Sequence, residues 1–109
     1  RGDAVPQLSL RAGDVELLQE EAKLRCEATG KEIKLGAKEY QLMELFLRNP
    51  GRILQKETMI EKVWGYESDA EYNSVEVYVS FLRKKLHFIG SIVTLKASRG
   101  LGYSLEVTA

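Results

Sequence analysis

Cationic side chains cluster in the last third of the chain, and they are the residues best suited to chemistry with a ligand. Residues 74–104 hold five basic residues against one acidic residue, Glu76, although the 109-residue chain is neutral overall, with 16 basic and 16 acidic residues. Arg83, Lys84 and Lys85 are consecutive, and Arg99 precedes a glycine. Lysines and arginines bind phosphates by neutralising charge and releasing counterions. The pattern favours a polyanionic partner such as nucleic acid, with an ordinary solvated face as the alternative.

The other residue types that could do chemistry are too few for catalysis or metal binding. The chain has one histidine, His87, and one cysteine, Cys26. Acid–base catalysis needs titratable groups paired in a pocket, and structural zinc needs several Cys or His ligands. His87 is predicted in the last turn of a helix, where the dipole favours it, and Cys26 alternates with polar neighbours as a small strand residue does. We therefore expect no enzyme activity, no metal and no cofactor.

The basic cluster lies on a stretch of helical periodicity whose two faces differ. At about 100° per residue, one narrow face collects Val75, Val79, Leu82 and Leu86, which must face the core. The opposite face holds Val77, Ser80, Phe81 and Lys84. A phenylalanine left in water forfeits roughly 1.5–3 kcal/mol of burial, so this surface is typical of one that awaits a partner. In a major groove, the apolar groups would meet thymine methyls and the flanking Arg83 and Lys85 would meet phosphates. The alternative is that a neighbouring element covers Phe81.

A glycine-rich segment after this helix carries a single cation. Residues 97–102, Ala-Ser-Arg-Gly-Leu-Gly, are predicted to form the tip of a hairpin with Arg99 on it. A cation on a tight hairpin can enter a minor groove, where negative potential is concentrated. An arginine on a turn is otherwise a solvated side chain.

These residues require a scaffold, and the sequence predicts an α+β domain. Four short alternating strands between residues 8 and 35 indicate an antiparallel sheet with one buried face. Helical periodicity then predicts three helices: one from about residue 37 to Pro50-Gly51, one over about 56–64, and one from 74 to about 87. Strand-like segments at 92–95 and 103–107 form a C-terminal hairpin. We predict one domain over residues 8–107, preceded by a linker stub or tail at 1–7.

The composition also indicates a cellular location. The sequence has no apolar run of membrane-spanning length and no apolar secretory segment at its start. One cysteine cannot form an internal disulfide, which fits a reducing compartment. We expect a cytoplasmic protein with no membrane partner.

Five segments carry a family resemblance. They are LGAKEYQLM (35–43), NPGRIL (49–54), VWGY (63–66), SVEVYVSFLRKKL (74–86) and RGLGY (99–103). In this order the chain resembles the C-terminal winged helix-turn-helix DNA-binding domain of OmpR/PhoB-type response regulators. The resemblance implies sequence-specific binding of double-stranded DNA in the control of transcription, with residues 74–86 as the recognition helix and 97–103 as the wing.

The resemblance assigns roles residue by residue. Bases in the major groove would be read by Val77, Ser80, Phe81 and Lys84. The residues that would bind phosphates, or fix how the helix enters the groove, are Trp64, Asn73, Ser74, Tyr78 and Arg83. Arg99 would enter the minor groove, and Tyr103 would lie near the DNA backbone. The acidic loop containing Glu67, Asp69 and Glu71 matches a segment through which the family can touch RNA polymerase.

The resemblance also implies further domains and copies. An upstream receiver domain that accepts a phosphoryl group, absent from these residues, would drive dimerisation, so we expect a dimer on DNA when the protein is full length. A related family places the same domain at the N-terminus of a membrane-anchored regulator, which the stub before the first strand disfavours. An interaction module that uses the apolar helix face for a protein partner is the second functional hypothesis, and Arg99 on the hairpin argues against it.

The sequence departs from the family's pattern at several positions. Arginines are common in the family at the positions of Ser80 and Phe81, which weakens the case for guanine readout there. Ala97 stands where a threonine is common in the wing. Gly36 and Gln55 replace the usual hydroxyl caps of the first two helices.

Overall fold

The computed structural model describes residues 9–65 and 72–108. The chain begins with four strands: β1 (Ser9–Ala12), β2 (Val15–Leu18), β3 (Lys23–Cys26) and β4 (Glu32–Lys34). Three helices follow: α1 (Ala37–Arg48), α2 (Lys56–Met59), which continues as a π-helical segment over Ile60–Trp64, and α3 (Tyr72–Phe88). Strands β5 (Val93–Ser98) and β6 (Gly102–Val107) form an antiparallel hairpin. This order confirms the predicted α+β winged helix-turn-helix fold. The predicted linker stub at 1–7 lies outside the described residues.

The N-terminal sheet is antiparallel in the order β1-β2-β3-β4, and its register aligns one apolar row. Leu10, Leu17, Leu24 and Ile33 stand opposite one another across the four strands, and Leu17 and Leu24 are fully buried. The next row alternates in charge: Arg11, Glu16, Arg25 and Glu32. Opposite charges across strands contribute about 0.2–1 kcal/mol per pair. The alternating charges therefore favour the strand register in which the apolar row faces the core.

The helices bury the faces that their periodicity predicts. Helix α1 contacts β1 and α3, and it buries Leu42, Met43 and Phe46. The predicted core face of α3 is confirmed, because Val75, Val79, Leu82 and Leu86 are all buried. Within the described part of the chain, none of the helices has the length and apolar character needed to cross a bilayer.

The first turn of α1 is joined to α3 by a buried carboxylate. The Glu39 carboxylate accepts a 2.6 Å hydrogen bond from the Gly36 backbone N–H, which compensates for the missing side-chain cap at Gly36. It also pairs with Lys85 Nζ at 2.6 Å, and Lys85 donates a second bond to the Lys34 carbonyl. The prediction that Lys85 flanks the DNA-facing side is therefore wrong: its ammonium group is held against α1 and β4.

Two turns of the N-terminal sheet are tied to the C-terminal part of the chain. At the β1–β2 turn, the Asp14 carboxylate accepts hydrogen bonds from Ser91 Oγ at 2.6 Å and from the Ile92 backbone N–H at 3.1 Å. At the β3–β4 turn, Thr29 Oγ1 donates to the Ile89 carbonyl at 2.6 Å. These bonds fix the end of α3 and the start of β5 against the sheet, and so they orient the hairpin that follows.

Candidate nucleic-acid interface

The outer face of α3 is exposed, as its periodicity predicts. Val77 and Phe81 expose 46% and 40% of their surface, and Ser80 and Lys84 between and beyond them are also exposed. The alternative in which a neighbouring element covers Phe81 finds no support in the described part of the chain, where the ring contact of Phe81 is with Tyr78 of the same helix. The four residues therefore form one continuous surface, which we call the outer face.

Three aromatic rings run from the end of the second helix to the outer face. The Trp64 and Tyr78 ring centroids lie 5.4 Å apart at 67°, and those of Tyr78 and Phe81 lie 5.5 Å apart at 77°. Both are edge-to-face contacts, the geometry that aromatic quadrupoles favour. Lys38 of α1 supports the first ring: its Nζ donates to the Val63 carbonyl at 3.0 Å and lies 5.8 Å from the Trp64 centroid. We call Trp64, Tyr78 and Phe81 the aromatic ladder.

The C-terminal hairpin presents Arg99 at its tip. Strand pairing continues to Ser98 opposite Gly102, so the tip is narrower than the predicted 97–102 and consists of residues 99–101. The Leu101 backbone N–H donates to the Ser98 carbonyl at 2.9 Å and closes this loop. Within residues 9–65 and 72–108, no hydrogen bond or ion pair engages the Arg99 guanidinium, and the residue is exposed. Its charge is therefore available to a ligand.

Arg83 and Tyr103 join α3 to the hairpin. Arg83 Nε donates to the Leu95 carbonyl at 2.8 Å, and its guanidinium carbon lies 5.8 Å from the Tyr103 ring centroid. Tyr103 is only 7% exposed. The buried Tyr103 ring therefore lies beside Arg83 at the junction of α3 and the hairpin, and its position near the DNA backbone stays a prediction.

A lysine at the start of α2 belongs to the same surface and was missed by the sequence analysis. Lys56 Nζ pairs with Glu76 at 2.8 Å and lies 5.9 Å from the Tyr103 centroid. The hydrogen bond that Lys56 donates to the Glu76 carboxylate raises the pKa of Lys56 above its ordinary value. The pair lines one side of a groove of about 410 Å³ between α2, α3 and the hairpin tip. The only sequence signal was that Glu76 is the one acidic residue in a basic stretch.

The structure describes only some of the remaining predicted site residues, and it also describes Lys96, one of the five basic residues in 74–104. Ser74 is half-exposed in the first part of α3. Asn73 lies in the same turn, but its side chain is outside the described residues, as is the acidic loop with Glu67, Asp69 and Glu71. Lys84 and Lys96 are exposed and, in the part of the chain that the structure describes, carry no ion pair or hydrogen bond. Lys84, Lys96 and Arg99 are therefore available to a ligand on this surface, whereas the charge of Lys56 is offset by Glu76.

Comparisons with known proteins match both the sequence and the fold. The model of the family described as "Transcriptional regulatory protein, C terminal" matches residues 30–105. The transcriptional regulatory protein DltR of Streptococcus agalactiae serotype III (strain NEM316) is 43% identical over 97 residues, which cover 89% of this chain and 42% of that protein. The phosphate regulon transcriptional regulatory protein PhoB of Rhizobium meliloti (strain 1021) is 36% identical over 97 residues, which again cover 89% of this chain and 42% of that protein.

A solved structure of a response regulator domain has the same fold. The C-terminal domain of the nisin resistance regulator NsrR, a lantibiotic response regulator, superimposes with a TM-score of 0.74 at 30% identity, covering 92% of this chain and 99% of that one. The chain thus spans less than half of the curated relatives it matches, and nearly all of a solved C-terminal domain.

Proposed function

The chain belongs to the family of C-terminal domains of transcriptional regulatory proteins, and from this premise we propose that it binds double-stranded DNA in a sequence-specific manner to control transcription. The observation that carries the proposal is the outer face of α3, where exposed apolar residues adjoin exposed cations, beside a hairpin that presents Arg99. α3 would lie in the major groove, and the wing at 97–103 would reach the adjacent minor groove.

The proposed contacts divide into base contacts and phosphate contacts. Val77, Ser80, Phe81 and Lys84 would face base edges. Trp64, Asn73, Ser74, Tyr78 and Arg83 would bind phosphates or fix the helix at the groove. In this arrangement the DNA strand between the two grooves would cross the groove between α2, α3 and the wing tip, which Lys56 lines. With about four phosphates neutralised per domain, the logarithm of the binding constant would fall with that of salt concentration with a slope of about −3 to −4.

We further propose the context in which the domain acts. In the full-length protein it would be the output domain of a cytoplasmic two-component response regulator, with an upstream receiver domain that accepts a phosphoryl group. A dimer on adjacent half-sites would gain affinity through effective concentration. The loop with Glu67, Asp69 and Glu71 would contact RNA polymerase, because its carboxylates are repelled by DNA. The domain itself would act by binding and not by catalysis.

The proposal is tested by titrating the labelled domain with a pool of short mixed-sequence duplexes at low salt and following backbone amide shifts. We expect shifts confined to 73–85 and 97–103, and we expect them to fade as salt is added. If these segments do not respond at high duplex concentration, the DNA-binding proposal fails. The apolar outer face would then be a surface for a protein partner.

Replacing Arg99 with alanine should weaken binding to a selected duplex by roughly tenfold, because it removes the one cation on the wing tip. Fluorescence anisotropy against salt concentration would measure both the affinity and its slope. The matched control is Arg25→Ala, which removes an exposed arginine from β3 of the N-terminal sheet. Equal effects of the two substitutions would show that Arg99 contributes only to the overall charge.

A further inference from the structure

The outer face of α3 is poor in the side chains that read bases by paired hydrogen bonds. Arginine or lysine on guanine and asparagine or glutamine on adenine give bidentate contacts, and Lys84 is the one residue of these types among Val77, Ser80, Phe81 and Lys84. Glu76, which could accept a hydrogen bond from cytosine, is already bound to Lys56 at 2.8 Å. Ser80 and Lys84 can still form hydrogen bonds with bases, but Val77 and Phe81 offer only apolar surface, so half of this face can discriminate between bases only by apolar contact.

The apolar pair is held in place before any ligand arrives. Val77 and Phe81 are one helical turn apart and therefore neighbours on the surface. A valine has essentially one side-chain rotamer in a helix, and the Phe81 ring rests on Tyr78, which rests on Trp64. Lys38 fixes Trp64 through the Val63 carbonyl. Side chains that are already ordered lose less entropy on binding, so this arrangement suits contact with a small apolar group at a fixed position.

Only one apolar group projects into the major groove of DNA, the C5-methyl group of thymine. We infer that Phe81 and Val77 select thymines by contact with their methyl groups, and that the aromatic ladder from Trp64 positions Phe81 for it. This inference rests on the proposed DNA binding and assigns the class of site: half-sites with thymines at the positions that face these two residues. The exposed Lys84, one helical turn beyond Ser80, adds a positive charge to this face, and that charge favours binding to the polyanionic DNA.

The experiment compares thymine with deoxyuridine, which pairs identically and lacks only the methyl group. A duplex is first selected from a random library with the domain, and each thymine is then replaced in turn. We expect about fourfold weaker binding for each contacted methyl group, equivalent to about 0.8 kcal/mol, and about fifteenfold for two. The effect should be confined to one or two positions in each half-site.

Substitutions in the protein separate direct contact from changes in DNA shape. In Phe81→Ala, the affinity ratio between the thymine and deoxyuridine duplexes should fall toward one. Phe88→Ala is the matched control, since Phe88 lies on the same helix, is 59% exposed and contacts Lys31 instead of the ladder; its ratio should equal that of the unaltered protein. A protein that binds both duplexes equally well, or an undiminished ratio in Phe81→Ala, would overturn the inference while leaving DNA binding intact. Absence of binding to every duplex would instead refute the proposed function.

Discussion

Replacing Gly102 with alanine is expected to destabilise the domain by about 3 kcal/mol or more, the largest effect that we predict for a single methyl group. Gly102 has a φ of 146°, a conformation that L-residues rarely adopt. An added Cβ would also overlap the Leu54 carbonyl oxygen. That carbonyl accepts from the Tyr103 backbone N–H at 3.0 Å, and the Leu54 N–H donates to the Tyr103 carbonyl at 2.7 Å. The substitution would therefore push the wing away from the segment before α2.

The matched control for this prediction lies two residues earlier. Gly100 also has a positive φ, of 75°, but a Cβ built there meets no atom within 4 Å. Gly100→Ala should therefore cost only about 1 kcal/mol, from backbone strain alone. Urea denaturation followed by circular dichroism would measure both free energies of unfolding. If the two substitutions cost the same, the close approach between β6 and Leu54 is not what requires glycine at 102.

Asp14→Ala is expected to cost about 2 kcal/mol near neutral pH, because the carboxylate is half-buried and holds the start of β5. Burial raises the pKa of Asp14, but the hydrogen bonds from Ser91, Ile92 and Cys26 together outweigh it, so the pKa is lowered in the folded state. A lowered pKa contributes stability above the unfolded-state value of about 3.9, and this stability is lost as pH falls through the folded-state value.

The pH dependence is the distinguishing measurement. The difference in unfolding free energy between the unaltered protein and Asp14→Ala should be constant above about pH 5 and should shrink below about pH 4. Glu20→Gln, which changes an exposed carboxylate in the β2–β3 turn, should leave stability unchanged at every pH. A loss in Asp14→Ala that is the same at pH 3 and pH 7 would mean that Asp14 acts through packing and not through its charge.

Much of the fold could be predicted because the signals that specify it are local. The recurrence of Val75, Val79, Leu82 and Leu86 marks the buried face of α3, since helix geometry alone places residues three or four apart on one side. By the same geometry, Val77 and Phe81 had to lie on the outer face. Gly65 and Gly100, both with positive φ, mark a helix end and the hairpin tip because glycine adopts that conformation at little cost.

The sequence by itself therefore determined which segments are helices and strands, which face of α3 is buried, and that Arg99 stands on a hairpin. Only the tertiary structure decided which charged side chains have partners within the protein and which remain available to a ligand. Lys85 pairs with Glu39, 46 residues away, Lys56 pairs with Glu76, 20 residues away, and Asp14 meets Ser91, 77 residues away. The physical reason is that periodicity follows from backbone geometry over a few residues. Whether a lysine faces solvent or a carboxylate depends on how separate elements dock, and no local pattern encodes that contact.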